Sequence, residues 1–278
     1  MTPIRLIPLT LLVLLAFAGN SILCRLALRA TTIDPATFTS VRLLSGALVL
    51  WVLVSLFRRN VRGRGNWGSA LALLAYAATL SYAYIDLPTG LGALLLFAAV
   101  QVTMIGHALT HGERLQIDQW LGLGLAIAGL VGLLLPGLTA PPLIGSVLML
   151  ASGVAWGVYS LRGKGAGDPT RVTAGNFMRA VPIALLLSLV SLGQTQWDAT
   201  GVLYAVISGG ITSGLGYSLW YMVLPHLRST TAASLQLSVP VIASLGGVLF
   251  VGEALTLRLV LAAIAILGGI ALVIRGRR

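Results

Sequence analysis

Apolar residues dominate this chain in long blocks, each closed by a few charged residues or by Gly and Pro. A transmembrane helix needs about 20 mostly apolar residues. Ten blocks of suitable length lie at about 5–26, 36–57, 68–86, 88–109, 116–135, 143–161, 172–193, 199–221, 229–250 and 256–274. The first imitates a signal peptide, with Arg5, a Leu-rich run and Ala16-Phe17-Ala18 as a cleavage-like site. Its apolar run continues to Cys24, so it reads as the first transmembrane helix. The connections are too short to hold a soluble domain. The expected fold class is all-α, a polytopic membrane protein of ten transmembrane helices.

The blocks repeat. Tyr84-Ile85-Asp86-Leu87-Pro88 recurs as Tyr221-Met222-Val223-Leu224-Pro225, and Gly112-Glu113-Arg114-Leu115 as Gly252-Glu253-Ala254-Leu255. Asp34-Pro35 before the second block matches Asp168-Pro169 before the seventh. The offsets are 137, 140 and 134 residues, so the two halves are nearly collinear. We therefore divide the chain into repeats at 1–138 and 139–278. Five helices is an odd number, so the second repeat enters the membrane from the opposite side. Inverted repeats of this kind place a binding site near the bilayer midplane and expose it alternately to the two sides.

Composition supports lipid as the main solvent. Only 9% of the residues are charged, against about a quarter in soluble domains. The net charge is +11, which in a soluble protein would point to nucleic acid. Here the basic residues lie between apolar blocks and set orientation instead. Thirteen of the eighteen fall at the termini and in the links that share their side, and three, Arg25, Arg29 and Arg258, fall on the other. That bias puts both termini in the cytoplasm of a cell (inner) membrane. With Cys24 as the only cysteine and no zinc motif around His107, His111 and His226, no metal and no cofactor is expected.

At these residues the chain resembles the drug/metabolite transporter superfamily, in its ten-helix EamA-type branch. The resemblance rests on the paired Gly-Glu-x-Leu and Asp-Pro junctions, Arg42 in the second helix, Trp156-Gly157 in the sixth and Pro240 in the ninth. The first half has Ala18-Gly19 where the second has Trp156-Gly157, and Val100 where the second has Pro240. The resemblance implies a transporter and not an enzyme, with export of amino acids, aromatic or large neutral ones included, as the matching activity.

Intramembrane polar groups should face the bundle interior or a wet cavity. Candidate substrate-binding residues on this ground are Asn20, Tyr82, Gln101, Trp156, Tyr159, Ser213, Tyr217, Ser234 and Ser238. Trp156, Tyr159, Tyr82 and Tyr217 form a candidate aromatic wall, for which plain helix packing is the alternative. The same holds for the serines, which also let helices approach closely. Pro240 leaves the carbonyl of Gln236 without its helical donor and is a candidate hinge. Arg42 and Arg179 are candidate anchors for a substrate carboxylate, or else snorkel or pair with backbone carbonyls. Glu113 and Glu253 are expected to favour the starts of helices 5 and 10 through the helix dipole.

No Asp or Glu lies mid-span, which disfavours exchange of protons for cationic drugs. The expected partners are a small-molecule substrate and membrane lipid, with no nucleic acid, in a monomer or homodimer. Export of other small organic solutes or drugs, a channel, and a membrane-embedded enzyme are the alternatives. Helices 5 and 10, poor in polar residues and rich in Gly, are expected at the periphery.

Overall fold

The computed structural model describes residues 3–57, 63–110, 116–135, 141–163, 166–227, 235–236 and 238–275. Among them all regular structure is helical. The elements are α1 (Pro3–Ala30), α2 (Pro35–Phe57), α3 (Trp67–Ala83), α4 (Thr89–Thr110) and α5 (Ile117–Leu134). They continue as α6 (Leu143–Gly163), α7 (Pro169–Val190), α8 (Ala199–His226), α9 (Ser238–Val251) and α10 (Leu257–Arg275). By length and composition α1, α2, α4, α6, α7 and α8 can each cross a membrane, and α5, α9 and α10 contain shorter apolar stretches.

The helices begin where the sequence supplies caps. The Asp168 side chain accepts from the amide of Arg171 at 3.0 Å, ahead of Pro169. Asp34 does the same for Thr37 at 2.9 Å, ahead of Pro35. A carboxylate takes one of the amides left without a helical partner, and proline follows where no donor is needed. The repeated Asp-Pro pair is thus a repeated helix start. Asn66 and Asp198 cap α3 and α8 in the same manner. At the other polarity, Arg258 of α10 donates to the carbonyls of Gly132 and Leu135 at the end of α5, where a cation is favoured.

The packing has a two-fold pattern. α3 packs on α6 as α8 packs on α1, and α4 on α6 as α9 on α1. α2 meets α8 as α7 meets α3. α2–α7, α4–α9 and α5–α10 are pairs between equivalent helices. Shifting each helix number by five therefore regenerates these contacts. With five helices in each repeat, α6 runs opposite to α1.

Large apolar side chains such as Leu11, Leu12, Leu15, Trp51 and Phe57 stand on the outside, as lipid-facing residues do. The interior holds Trp156, Trp220, Tyr159, Tyr217 and Phe177, and with them the guanidinium of Arg42.

Within α8 the winding changes to π over Ser208–Leu215. Here α2 comes against α8 so closely that a Cβ on Gly209 would run into the Arg42 carbonyl. Glycine is required there by space. α9 also ends in a π turn, Gly247–Val251, closed by Gly252 at φ 71°. That left-handed residue turns the chain so that Glu253 points back into the bundle.

Candidate functional site

The centre of the site is Asn20 of α1. Its Nδ2 donates to Tyr76 Oη of α3 at 3.0 Å. Its Oδ1 accepts from Ser208, Thr212 and Ser213 of α8 at 2.7, 3.3 and 3.4 Å. An α-helix aligns residues three or four apart, which suits Ser208 with Thr212. The π winding, with its i→i+5 bonding, also brings Ser213 onto that face. One amide thereby binds α1 to both α3 and α8.

Tyr217 Oη donates to Tyr76 Oη at 3.0 Å. Arg42 of α2 reaches the same group: Nη2 donates to Tyr217 Oη at 2.9 Å and Nε to Ser213 Oγ at 3.2 Å. Its guanidinium carbon lies 5.3 Å from the centre of the Tyr76 ring, within cation–π range. Arg42 is 1% exposed and forms no ion pair among the described residues. Its Nη1 has no hydrogen-bond partner.

Aromatic rings surround these atoms. Trp156 of α6 is 4.6 Å from Tyr217, 5.0 Å from Tyr76 and 5.4 Å from Phe17, centre to centre. Trp220 closes on Phe17 at 5.7 Å and Tyr159 on Trp156 at 5.6 Å. Beside them, Phe17, Ser21, Tyr76, Leu96, Phe97 and Trp156 line a cavity of about 10 Å³, room for about one water. That cavity is too small for a metabolite.

A second polar cluster lies at the end bearing the α3–α4 link. Arg25 Nε pairs with Glu253 Oε1 at 3.0 Å, with both side chains under 9% exposed. Arg25 Nη1 donates to the carbonyls of Tyr84 at 2.8 Å and Ile85 at 2.6 Å. Glu253 Oε2 accepts from the amide of Thr89 at 2.7 Å, and Arg29 stands 3.8 Å from Oε1. This latch joins α1, the α3–α4 turn and the α9–α10 link. It also corrects the expectation for Glu253. The carboxylate serves the start of α4 rather than α10, because Gly252 turns it inward.

The other expected residues fall in several places. Asn20, Trp156, Tyr159, Ser213, Tyr217 and Arg42 meet in the central cluster. Tyr82 does not: it is half-buried on the face of α3 that carries Thr79, and the opposite face sends Tyr76 inward. Gln101 is buried in an apolar cleft between α4 and α5. Ser238 donates to the Leu235 carbonyl at 2.7 Å, a local contact. Pro240 is buried in α9, in a small apolar pocket shared with α4 and α10. Arg179 donates to the carbonyls of Arg64 and Gly175 and stands over Trp67 at the end bearing the α2–α3 link. It thus adopts the backbone-pairing alternative. Ser234, Glu113 and His111 lie outside the described residues.

Tyr76, Phe17 and Trp220 complete the cluster. Leu73, Tyr76, Leu80 and Tyr84 are buried at helical spacing, but Thr79 and Tyr82 are spaced just as regularly, so no sequence signal singled out Tyr76.

The model of the EamA-like transporter family matches residues 5–135 and again 143–275. This protein belongs to the EamA-like transporter family. An uncharacterized Pseudomonas aeruginosa protein is 55% identical to this EamA-like chain over 98% of it and 96% of its own length. An Escherichia coli protein named "Probable amino-acid metabolite efflux pump" is 27% identical over 74% of this chain and 77% of its own. A crystal structure superposes with a TM-score of 0.68 at 21% identity, covering 95% of this chain and 97% of the other. This EamA-like protein is accordingly an integral membrane transporter of small molecules, not an enzyme.

Proposed function

We propose that this transporter exports small amino-acid metabolites by alternating access, with the central cluster as its substrate site. The observation that carries the proposal is the fully buried Arg42 guanidinium, held by Tyr76 and Tyr217 and without an acidic partner among the described residues. A buried cation is costly unless paired, so a substrate carboxylate is its natural complement and a guanidinium its best receiver. The rings then supply a surface for an aromatic or large aliphatic side chain. Asn20, Tyr159 and Ser213 orient the remainder. Export as the direction follows the name of the Escherichia coli relative.

In this reading the repeats 1–138 and 139–278 rock about the α2–α7 contact, with the Arg25–Glu253 latch holding one end shut. Gln101, Ser238 and Ser234 would meet substrate only in a more open arrangement, and Pro240 would let α9 bend. Tyr82 and Arg179 have no part in the closed site. Both termini lie in the cytoplasm.

The test is counterflow in liposomes holding the purified protein. Preloaded phenylalanine or leucine should accelerate uptake of the same labelled amino acid, saturably, and Arg42→Gln should abolish the effect. If no neutral amino acid drives counterflow, the cargo assignment fails. Ohmic current with any of them would replace the carrier by a channel.

A further inference from the structure

The central site has donors to spare and no carboxylate. Arg42 Nη1, Trp156 Nε1 and Trp220 Nε1 are buried without hydrogen-bond partners. All three are N–H donors with no accepting capacity. Of the acceptors in the cluster, Asn20 Oδ1 faces three hydroxyls and Tyr76 Oη accepts from Asn20 and Tyr217, which leaves the Tyr159 hydroxyl, a donor as well as an acceptor, as the one without a partner. Among the described residues every Asp and Glu lies at a helix end or in a link. An entering carboxylate would satisfy Arg42 and one or both of the indole donors. An entering ammonium would bring three more donors and a second positive charge beside the guanidinium.

Resting on the reading of this cluster as the substrate site, we infer that it recognises a carboxylate and an apolar body but not an amine. Its ligand class is monocarboxylates, and the α-amino group of an amino acid is a burden. Deaminated and N-acylated amino acids bind at least as tightly as the amino acids themselves. Cation–π attraction to Tyr76 is already used by Arg42, and a second cation at the site would be repelled by the guanidinium.

The test is calorimetric titration of the detergent-purified wild-type protein with four probes that share one ring: phenylalanine, 3-phenylpropionate, N-acetylphenylalanine and phenethylamine. The two amine-free or acylated carboxylates should bind with a Kd no higher than that of phenylalanine. Phenethylamine should not bind, and Arg42→Gln should weaken carboxylate binding about 100-fold while Arg42→Lys retains most of it. Binding of phenylalanine and phenethylamine with loss of the other two would overturn the inference and leave the amino-acid reading standing. Binding of the amine-free and acylated carboxylates but not phenylalanine would uphold the inference and remove amino acids as cargo. Failure of all four would overturn both. The wild-type panel is independent of whether any variant folds.

Discussion

Asn20 joins the site by one donated and three accepted hydrogen bonds, across α3 and α8. Leucine has almost the same shape and none of this capacity. Asn20→Leu would strand Tyr76 and the α8 hydroxyls, and a lost buried partner costs about 1–3 kcal/mol. We expect a lower Tm in detergent and counterflow reduced at least tenfold, the factor corresponding to about 1.4 kcal/mol. Unchanged values of both would show that the hub is incidental. Asn20 and Arg42 were legible in the sequence because an amide or guanidinium within an apolar run must find partners away from lipid. Tyr76 was not. In a membrane helix the cavity face and the lipid face are both apolar, so the spacing of Tyr76 and that of Tyr82 are equally compatible with burial. The partner of Glu253 was illegible for a different reason, since it is 164 residues away at Thr89 and depends on how the halves meet.

At the scale of elements, two features invite tests. The π stretch of α8 carries Gly209 against the Arg42 carbonyl. Gly209→Ala would push α2 and α8 apart, and such overpacking costs about 1–3 kcal/mol. We expect a reduced Tm together with weaker substrate binding, because Ser213 and Tyr217 move away from Arg42. The latch offers a cleaner readout. Cys24, the only cysteine, is buried one residue before Arg25. Glu253→Gln removes one partner of a buried ion pair, a change worth about 3–5 kcal/mol. Opening of that end should raise labelling of Cys24 by a membrane-impermeant maleimide about tenfold or more. Labelling that stays at the wild-type rate would mean that other contacts keep the end closed. The helices themselves, and starts such as Asp34-Pro35 and Asp168-Pro169, could be read directly because capping is local. The π turns could not, because no residue type specifies them.

For the whole molecule, the sequence repeats foreshadow the contact symmetry, in which α3–α6 answers α8–α1 and α2–α7 joins the halves. Matching junctions survive in sequence because they terminate helices, whereas the helix faces between them have diverged. The bias of basic residues predicts where the ends lie. A C-terminal green fluorescent protein fusion should fluoresce, and an alkaline phosphatase fusion at the same point should be inactive; the reverse result would invert the protein. The lack of an acidic residue at the middle of the molecule also bears on its energy source. With no central group to exchange a proton for the cargo, and with Arg42 remaining behind, a carboxylate that lacks an ammonium would cross as a net negative charge. In a cell that is negative inside, outward movement of that charge runs downhill by about 2.3 kcal/mol per 100 mV. Membrane voltage alone would then empty the cell of such a metabolite, and liposomes given a potassium diffusion potential should show efflux that accelerates as the interior is made more negative.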